Sequence, residues 1–514
     1  MTATAETAAL PAHYTELTAL LREASTLGSV AALLSWDQET YMPAAAGASR
    51  AEQSSVIARL THEKRTNPRI GELITACESD TSISDPSTET GANIRCMRRD
   101  YDKATRMPGD LVAELARTGS EAQDLWKHAR ERSDFLMFAP ALTKMLDLTR
   151  RKAECLGIPE GGELYDALLD EYEPDARAGE IEAVFLPLRN RLSAFIAEIR
   201  DNGTPPRVDF TRRTVPVDRQ HAFGRAVVSA LGFDFSAGRL DTTTHPFCSG
   251  MAAGDTRLTT RYAEDNFADA LSSTMHEAGH GLYEQGLPKS GSFAGTPLSG
   301  SVSLGIHESQ SRMWENFVGR SRAFWTWALP VARQHFGDVL DDIDLDTMVP
   351  AMNTCTPSLI RVESDEPTYN LHVMIRFGIE RSLIKGDLSV NDLPGAWNEQ
   401  YKQLLGVDVP DDKHGCLQDV HWSFGLIGYF PTYSLGNLYA AQLWETINEQ
   451  IPDLDAQTER GEFGALLAWL RDNIHRHGRR YTAQQLSERA TGKPLSADPL
   501  MRHLERRVKP AYGL

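Results

Sequence analysis

The stretch HEAGH at residues 276–280 constrains this chain more than any other feature of its sequence. His276 and His280 are four residues apart, so on a helix both imidazoles lie on one face, about one turn from each other. Both can then bind a single ion at the roughly 2.0–2.1 Å of a zinc–nitrogen bond. Glu277 lies beside them, where a carboxylate can take a proton from a metal-bound water. The stretch therefore predicts a helix that carries a catalytic metal site.

The residues around this stretch favour a helix. Apolar side chains recur at four-residue spacing at Phe267, Leu271 and Met275, as in an amphipathic helix. Gly279 and Gly281 each lower helix stability by about 1 kcal/mol relative to alanine. We therefore expect another part of the chain to approach the helix backbone closely at these two glycines.

Two histidines are an incomplete site, because a catalytic zinc takes three protein ligands and leaves a fourth position for water. A third histidine six residues after His280 would complete one known arrangement, but Gly286 occupies that position. A glutamate from the next helix is the other solution, and Glu308 is the first candidate. Glu315 and Glu284 are alternatives. Spacing alone also allows Glu308 to be a carboxylate that only stabilises the first turn of its helix.

The charge of the chain argues against several classes of partner. Lys and Arg number 53 and Asp and Glu number 71, which gives a net charge of −18. Such an acidic surface predicts no nucleic-acid partner and no binding to anionic membranes. Residues 1–14 lack a basic start and a long apolar run, and no stretch of about 18 uninterrupted apolar residues occurs, so we expect neither a signal peptide nor a membrane span. The six cysteines lack CxxC spacing, which indicates reduced thiols in a cytoplasmic protein.

Helical periodicity dominates the chain, with one strand-like region before the HEAGH stretch. Glycine and threonine punctuate residues 233–247, and residues 257–262 suit a short strand, so we predict a small β-sheet beside the HExxH helix. Further helices are predicted at residues 112–129, 140–155, 181–199, 305–329, 371–385, 396–405, 435–447 and 463–476. No composition break is long enough for a linker. We predict a mainly α, large helical single-domain protein over residues 1–514, with a helical N-terminal part at about 1–200, a catalytic part at about 230–440 and a helical C-terminal part to 514.

Several other motifs follow one another along the chain. They are SWDQETYMP at 35–43, HPF at 245–247, DTRLT at 255–259, HESQ at 307–310, IRVESD at 360–365 and GCLQDVHW at 415–422. Together with HEAGH, and over nearly the whole chain, they resemble the carboxypeptidase Taq family of zinc metallocarboxypeptidases. Ser364 departs from the alanine of the family's IRxxAD motif, a small change that leaves Arg361 and Asp365 in place.

The resemblance implies a mostly helical fold with a deep substrate groove. It also implies one Zn²⁺ per chain held by His276, His280 and Glu308, with Co²⁺ as an alternative metal, and Glu277 as the catalytic base. The implied protein is a homodimer. It releases single amino acids, with broad specificity, from peptides that have a free C-terminus.

An exopeptidase needs a cation for the terminal carboxylate of its substrate, and a guanidinium binds it through two parallel hydrogen bonds. Arg361 is the first candidate, because it lies in one of the motifs of the resemblance. Arg257 is the second, although it can equally pair with an acid of its own motif. His245 is a candidate to line the groove, and Gln310 and Asp365 are candidates to orient the metal ligands.

The oxyanion of a tetrahedral intermediate needs a hydrogen-bond donor opposite the metal. His421, together with Tyr433 or Tyr429, offers an imidazole and two phenols for this role. The alternatives are a core histidine bound by Asp419 and tyrosines that serve only in packing.

Two other functions are compatible with the motif. One is a zinc oligopeptidase or endopeptidase of related helical architecture, which would still cleave a peptide whose C-terminus is amidated. The other is a non-catalytic helical peptide-binding protein with a structural zinc. A structural zinc normally has four protein ligands, no fourth is evident, and Glu277 would then have no role.

Overall fold

Residues 10–514, the part of the chain that the computed structural model describes, contain twenty α-helices and three strands. About 70% of the structure is helical. The mainly α fold class is therefore confirmed. The expectation that the chain begins without a signal peptide falls partly on residues 1–9, which lie outside the described part.

Nine helices precede the sheet. They are α1 (Ala12–Thr40), α2 (Gly47–Arg65), α3 (Pro68–Ser79), α4 (Glu89–Arg106), α5 (Gly109–Arg132), α6 (Phe135–Leu156), α7 (Leu164–Leu169), α8 (Ala178–Asn202) and α9 (Val217–Ala230). The prediction that α6 starts at Pro140 was wrong by five residues. The Asp134 side chain accepts a hydrogen bond from the Met137 amide and thereby caps the helix earlier.

The sheet consists of β1 (Gly238–Thr242), β2 (Cys248–Ala252) and β3 (Asp255–Thr260). β3 lies in the middle, parallel to β1 and antiparallel to β2. α10 (Phe267–Gly286) follows at once and packs against β2 and β3. The structure therefore confirms a small sheet beside the helix that carries HEAGH.

Ten helices follow α10. They are α11 (Leu304–Arg312), α12 (Arg322–Phe336), α13 (Leu345–Ala351), α14 (Glu366–Lys385), α15 (Leu393–Leu405), α16 (Pro431–Gln450), α17 (Leu454–Glu459), α18 (Gly464–Asn473), α19 (Ala483–Thr491) and α20 (Asp498–Ala511).

The single helix predicted over residues 305–329 was wrong. The chain forms α11, then a π-helical segment at Met313–Val318, then α12 after a short break. Arg507 of α20 donates hydrogen bonds to the carbonyl oxygens of Asn316 and Phe317. Ser321 begins α12 by accepting from the Phe324 amide. Both contacts satisfy backbone groups that a continuous helix would have paired internally.

The apolar interior has a large and a small part. The large cluster draws buried side chains from residues 122–512. The small one joins α1, α3 and α4 through residues such as Tyr14, Leu17, Ile74 and Met97. The first helices of the chain therefore have a core of their own, and the single-domain organisation stays a prediction.

Much of α1 remains uncovered. Within this helix an 18-residue window has a mean hydropathy of 1.3 while only 17% of it is buried, so by length and composition alone the helix can cross a membrane. Core helices and signal sequences meet the same criterion, and one such helix therefore says little. In the structure α1 packs on α2, α3 and β2. The absence of a membrane partner stays a prediction.

The two glycines of the HEAGH helix lie where other residues approach its backbone, as expected. A Cβ atom on Gly279 would lie 2.5 Å from the carbonyl oxygen of Gln310 and 2.6 Å from Cα of Ser311, both in α11. A Cβ on Gly281 would lie 2.6 Å from the side chain of Leu258 in β3. The missing side chains thus allow α10 to contact α11 and the sheet closely.

We expect Gly279→Ala to lower the free energy of unfolding by about 1–3 kcal/mol, because α11 backbone cannot give way as a flexible side chain can. Gly378→Ala in α14 is the matched control, since the nearest atom to its Cβ is 4.0 Å away. The control is expected to gain up to about 1 kcal/mol from helix propensity. Urea unfolding measures both variants, and a Gly279→Ala protein as stable as the wild type would contradict the close packing.

Candidate metal centre and substrate site

His276, His280 and Glu308 come together between α10 and α11. Nε2 of His276 lies 3.6 Å from Oε2 of Glu308, and Nε2 of His280 lies 3.5 Å from the same oxygen. The three candidate ligand atoms all lie within 4.8 Å of one another. Around a tetrahedral ion with bonds of about 2.0–2.1 Å, ligand atoms lie roughly 3.3–3.4 Å apart. The spacing therefore fits a single ion.

The Nδ1 atom of each histidine, on the side of the ring away from Glu308, contacts another residue. Nδ1 of His276 lies 2.8 Å from Oε2 of Glu315. Nδ1 of His280 lies 3.0 Å from the carbonyl oxygen of His307 and 2.6 Å from its Nδ1. Such contacts fix the tautomer and the ring orientation of metal-binding histidines. They leave both Nε2 atoms directed at Glu308.

The two alternative ligands therefore have other roles. Glu315 binds His276 from behind, as described above. Glu284 accepts a hydrogen bond from Nε2 of His307 at 2.9 Å and also pairs with Lys289. Glu315 contacts the far side of one cluster histidine, and Glu284 contacts His307 outside the cluster. Glu308 is the acid that faces both His276 and His280.

Arg312 is a residue of the site that sequence reasoning missed. Its Nε donates to Oε1 of Glu308 at 2.8 Å, and its Nη1 donates to Oε2 of Glu315 at 3.1 Å. Burial opposes ionisation of Glu308, yet Arg312 and His276 hold the pKa of that carboxyl well below its usual value. The available signal was spacing, because Arg312 follows Glu308 by four residues on one helix.

The two histidines differ in charge preference. Burial disfavours the charged form of His276, but Glu308 and Glu315 outweigh it and raise the pKa to about 9. Burial and the neighbouring His307 lower the pKa of His280 to about 3. The two carboxylates therefore favour positive charge at His276, whereas His280 stays neutral. A histidine that binds a metal ion must be neutral.

Glu277 is buried on α10, with 6% of its surface exposed. Burial raises the pKa of its carboxyl to about 7, against the lowering effect of His276. A carboxyl that titrates near neutrality can both accept and release a proton during a reaction. The predicted catalytic base thus has suitable chemistry.

Arg361 is almost completely buried. Its Nε and Nη2 donate to Oδ1 of Asp419 at 3.1 and 2.9 Å, and its Nη1 donates to the Tyr369 hydroxyl at 3.1 Å. Arg376 donates to the other oxygen of Asp419 at 2.6 Å. A guanidinium has five N–H groups, so these contacts leave one on Nη1 and one on Nη2 for a ligand.

His421 lies close to this ion pair. Its Nδ1 is 4.0 Å from Oδ1 of Asp419 and has no hydrogen-bond partner within residues 10–514, while its Nε2 is 3.5 Å from the Tyr433 hydroxyl. Burial lowers the pKa of His421 to about 4, although Asp419 opposes this. The Tyr429 ring centre lies 5.5 Å from the imidazole. The structure thus brings the imidazole and both phenols together.

Arg257 and His245 lie around the sheet. Arg257 donates to both oxygens of Asp255 at 2.8 and 2.9 Å, and its guanidinium lies 4.3 Å from the centre of the Trp36 ring. This pairing is the structural alternative to substrate binding, and it ties α1 to β3. His245 is exposed in the loop between β1 and β2. Substrate binding by either residue stays a prediction.

Gln310 and Asp365 are bound to the protein scaffold. Oε1 of Gln310 lies 2.9 Å from Nε2 of His475. Asp365 caps α14 by accepting from the Thr368 amide at 3.2 Å. Gln310 thus fixes the packing of α11, and Asp365 fixes the start of α14.

Glu173 is another buried carboxylate that no sequence pattern indicated. It accepts hydrogen bonds from the Gly305 amide at 2.9 Å and from the Tyr439 hydroxyl at 3.3 Å. Burial raises its pKa to about 7. Glu173 therefore fixes the first turn of α11, the helix that carries Glu308.

We expect Glu173→Gln to change the pH dependence of stability. Below pH 4.5 the wild-type carboxyl is protonated in both states. Between pH 4.5 and 7 it is ionised only in the unfolded protein, so stability falls as pH rises. Glutamine does not titrate, so the variant should gain about 3 kcal/mol relative to the wild type across this range.

Urea unfolding at pH 4.5 and 7.5 measures this difference. Glu180→Gln, at an exposed position nearby, is the control and should follow the wild type. Parallel curves for Glu173→Gln and the wild type would show that this carboxyl does not titrate near neutrality.

With this geometry established, comparison with known proteins identifies the family. The profile of the Carboxypeptidase Taq (M32) metallopeptidases matches residues 16–508. The chain belongs to this family. Thermostable carboxypeptidase 1 of Thermus thermophilus is 45% identical over 509 residues, 98% of this chain and 99% of the relative. Carboxypeptidase 1 of Bacillus subtilis is 36% identical over 495 residues, 96% of this chain and 98% of the relative.

Solved structures share the M32 fold. The crystal structure of the M32 carboxypeptidase from Deinococcus radiodurans R1 has a TM-score of 0.94 and 41% identity, and covers 98% of this chain and 100% of its own. The solved structure of Pyrococcus furiosus carboxypeptidase has a TM-score of 0.93 and 33% identity, and covers 97% of this chain and 99% of its own. The predicted family and enzyme class are thus confirmed. The chain is an M32 metallocarboxypeptidase, and its family implies a divalent metal, which the His-His-Glu cluster fits.

Proposed function

We propose that this M32 enzyme is a zinc-dependent cytoplasmic carboxypeptidase that releases single amino acids, with broad specificity, from the free C-terminus of peptides. One observation carries the proposal. Arg361 has two uncommitted N–H groups, and its contact Tyr369 also lies under Arg312, with 4.4 Å between that guanidinium and the ring centre. Arg312 in turn binds Glu308, so a carboxylate receptor and a metal centre share one site.

Zinc suits the donor set of this chain. Two imidazole nitrogens and one carboxylate oxygen are the ligands of a known class of catalytic zinc sites, and Co²⁺ accepts the same set. The imidazoles remain partly accessible, with 19% and 15% of the His276 and His280 side chains exposed. This access supports a catalytic ion with an open position.

The proposed reaction divides between the metal and the side chains. A divalent ion held by His276, His280 and Glu308 would polarise the scissile carbonyl and lower the pKa of a water molecule. The carboxylate of Glu277 accepts a proton from the attacking water and delivers it to the leaving amine. A ring N–H of neutral His421, aided by a tyrosine hydroxyl, donates to the oxyanion. The two free N–H groups of Arg361 hold the terminal carboxylate.

Broad specificity is proposed from the family resemblance. The deep groove itself stays a prediction.

A single experiment tests reaction class and metal need together. A short peptide, in free and amidated forms, is incubated with the protein, with and without chelator, and the products are followed by mass. We expect a ladder of single-residue losses from the free peptide and a severe loss of rate on the amidated peptide, with both activities abolished by chelation and restored by Zn²⁺. Internal cleavage of the amidated peptide would show an endopeptidase, and no cleavage of either peptide would show a non-catalytic protein.

We further propose that the enzyme is a homodimer, as its family resemblance implies. α1 and α2 offer apolar surface for such an interface. Val30, Leu33 and Val56 are each about 40% exposed, and α2 contributes no buried residue to the monomer. A second copy would remove this surface from water.

Sedimentation of the wild type is expected to give twice the mass of one chain. The double variant Val30→Glu with Leu33→Glu should give a monomer, because two buried charges would oppose association. A wild-type monomer would contradict the dimer, and a dimeric variant would place its interface elsewhere.

A further inference from the structure

α14 carries buried polar side chains along one side. Tyr369, Arg376 and Glu380 follow one another at seven and four residues, which places them in line on a helix. The first two contact Arg361 and Asp419 in the substrate site. Glu380 has no part in the reaction proposed above, although it is equally buried in the same row.

The Glu380 carboxylate accepts three hydrogen bonds. The Trp422 indole donates to Oε1 at 2.8 Å. The Gly428 amide and the Tyr165 hydroxyl donate to Oε2 at 3.0 and 2.8 Å. All three partners are uncharged, and Glu380 itself is 0% exposed. Every oxygen of the carboxylate is therefore committed within the protein.

Two of these donors lie next to the proposed oxyanion donors. Trp422 directly follows His421, and Gly428 directly precedes Tyr429. One carboxylate thus holds both ends of the segment 421–429. Gly428 has a φ of 92°, and a Cβ on it would lie 2.8 Å from the backbone nitrogen of Leu169. The backbone at this end of the segment is therefore closely confined.

A carboxylate is a costly choice for this position. Burial of an ionisable group without a charged partner disfavours folding, and a neutral residue of the same shape would cost less. Glutamine, however, has only one acceptor oxygen, and its NH₂ group would face the N–H of either Trp422 or Gly428. Tyr165 can rotate its hydroxyl to accept instead. Only a carboxylate satisfies both ends of the segment at once.

We propose that Glu380 is a positioning residue that fixes His421 and Tyr429 opposite the metal centre by holding Trp422 and Gly428. The kinetic part of this proposal rests on the function proposed above for these two side chains. The structural part, that one carboxylate immobilises the segment 421–429, does not depend on it.

Glu380→Gln tests the proposal, with Tyr165→Phe as the matched control that removes a donor to the same carboxylate outside the segment. For Glu380→Gln we expect kcat on a free peptide to fall on the order of 10²-fold, as for small misplacement of catalytic groups, with a smaller change in KM. Bound zinc per chain should be unchanged. Hydrogen exchange followed by mass spectrometry should be faster in residues 420–430. Tyr165→Phe should match the wild type in kcat and in exchange of this segment.

Two results would overturn the proposal. One is unchanged exchange of residues 420–430 in Glu380→Gln. The other is an equal loss of kcat in Tyr165→Phe, which would show a general packing role. If Glu380→Gln does not fold, Trp422→Phe removes one donor and should show the same faster exchange and lower kcat. A wild type without carboxypeptidase activity would refute the proposed function, while the exchange data would still decide whether Glu380 holds the segment.

Discussion

Glu277→Gln is expected to lower kcat for peptide hydrolysis by about 10²–10⁴-fold, the usual contribution of a general base. Glutamine keeps the size of the side chain but has no basic oxygen for the proton of the attacking water. The protein should still bind one metal ion per chain, because the His276, His280 and Glu308 cluster does not include this carboxyl. Steady-state kinetics on a free peptide, together with metal analysis of the same preparation, measures both effects.

Glu308→Gln is the informative comparison for this variant. It alters a candidate ligand, so metal content and activity should fall together. Glu277→Gln should lose activity alone. Wild-type activity in Glu277→Gln would remove Glu277 from the mechanism, and loss of metal from that variant would place it among the ligands.

Arg361→Lys is expected to lower kcat/KM on a free peptide by about 10²-fold, within the 2–5 kcal/mol typical of a broken buried charge contact. Lysine preserves a positive charge near Asp419 but cannot offer two parallel hydrogen bonds to a carboxylate. The same variant should be no slower than the wild type on the amidated peptide, since that substrate lacks the carboxylate. Initial rates on both peptides give this comparison.

Arg381→Lys is the matched control for the arginine variant. Arg381 also donates two hydrogen bonds to one carboxylate, that of Glu163, but it lies at the surface end of α14. Its replacement should leave kcat/KM unchanged on both peptides. An equal loss on free and amidated peptides in Arg361→Lys would mean that this arginine supports the fold and does not receive the substrate terminus.

The parts of the site that the sequence predicts are those set by local periodicity. His276 and His280 are neighbours because a helix repeats every 3.6 residues. Gly279, which has no side chain, indicates the close contact with the next helix. The prediction of Glu308 as the third ligand needed one more assumption, that α11 packs on α10. Arg312 obeys the same four-residue rule and was within reach of sequence reasoning.

The remaining contacts join residues far apart in the chain, so no local pattern could reveal them. Arg361 meets Asp419 across 58 residues, and Glu173 meets Gly305 across 132. Each depends on the final packing of several helices. The interruption of the helix predicted over residues 305–329 has the same cause, because its stabilising partner comes from α20.

Because of that partner, Arg507, the support of the metal centre depends on the order in which the chain is synthesised. The Arg507 guanidinium holds the carbonyls of the π-helical segment, and this segment presents Glu315 to His276. α20 is synthesised after α10 and α11. A nascent chain therefore lacks one support of its metal centre until α20 has left the ribosome.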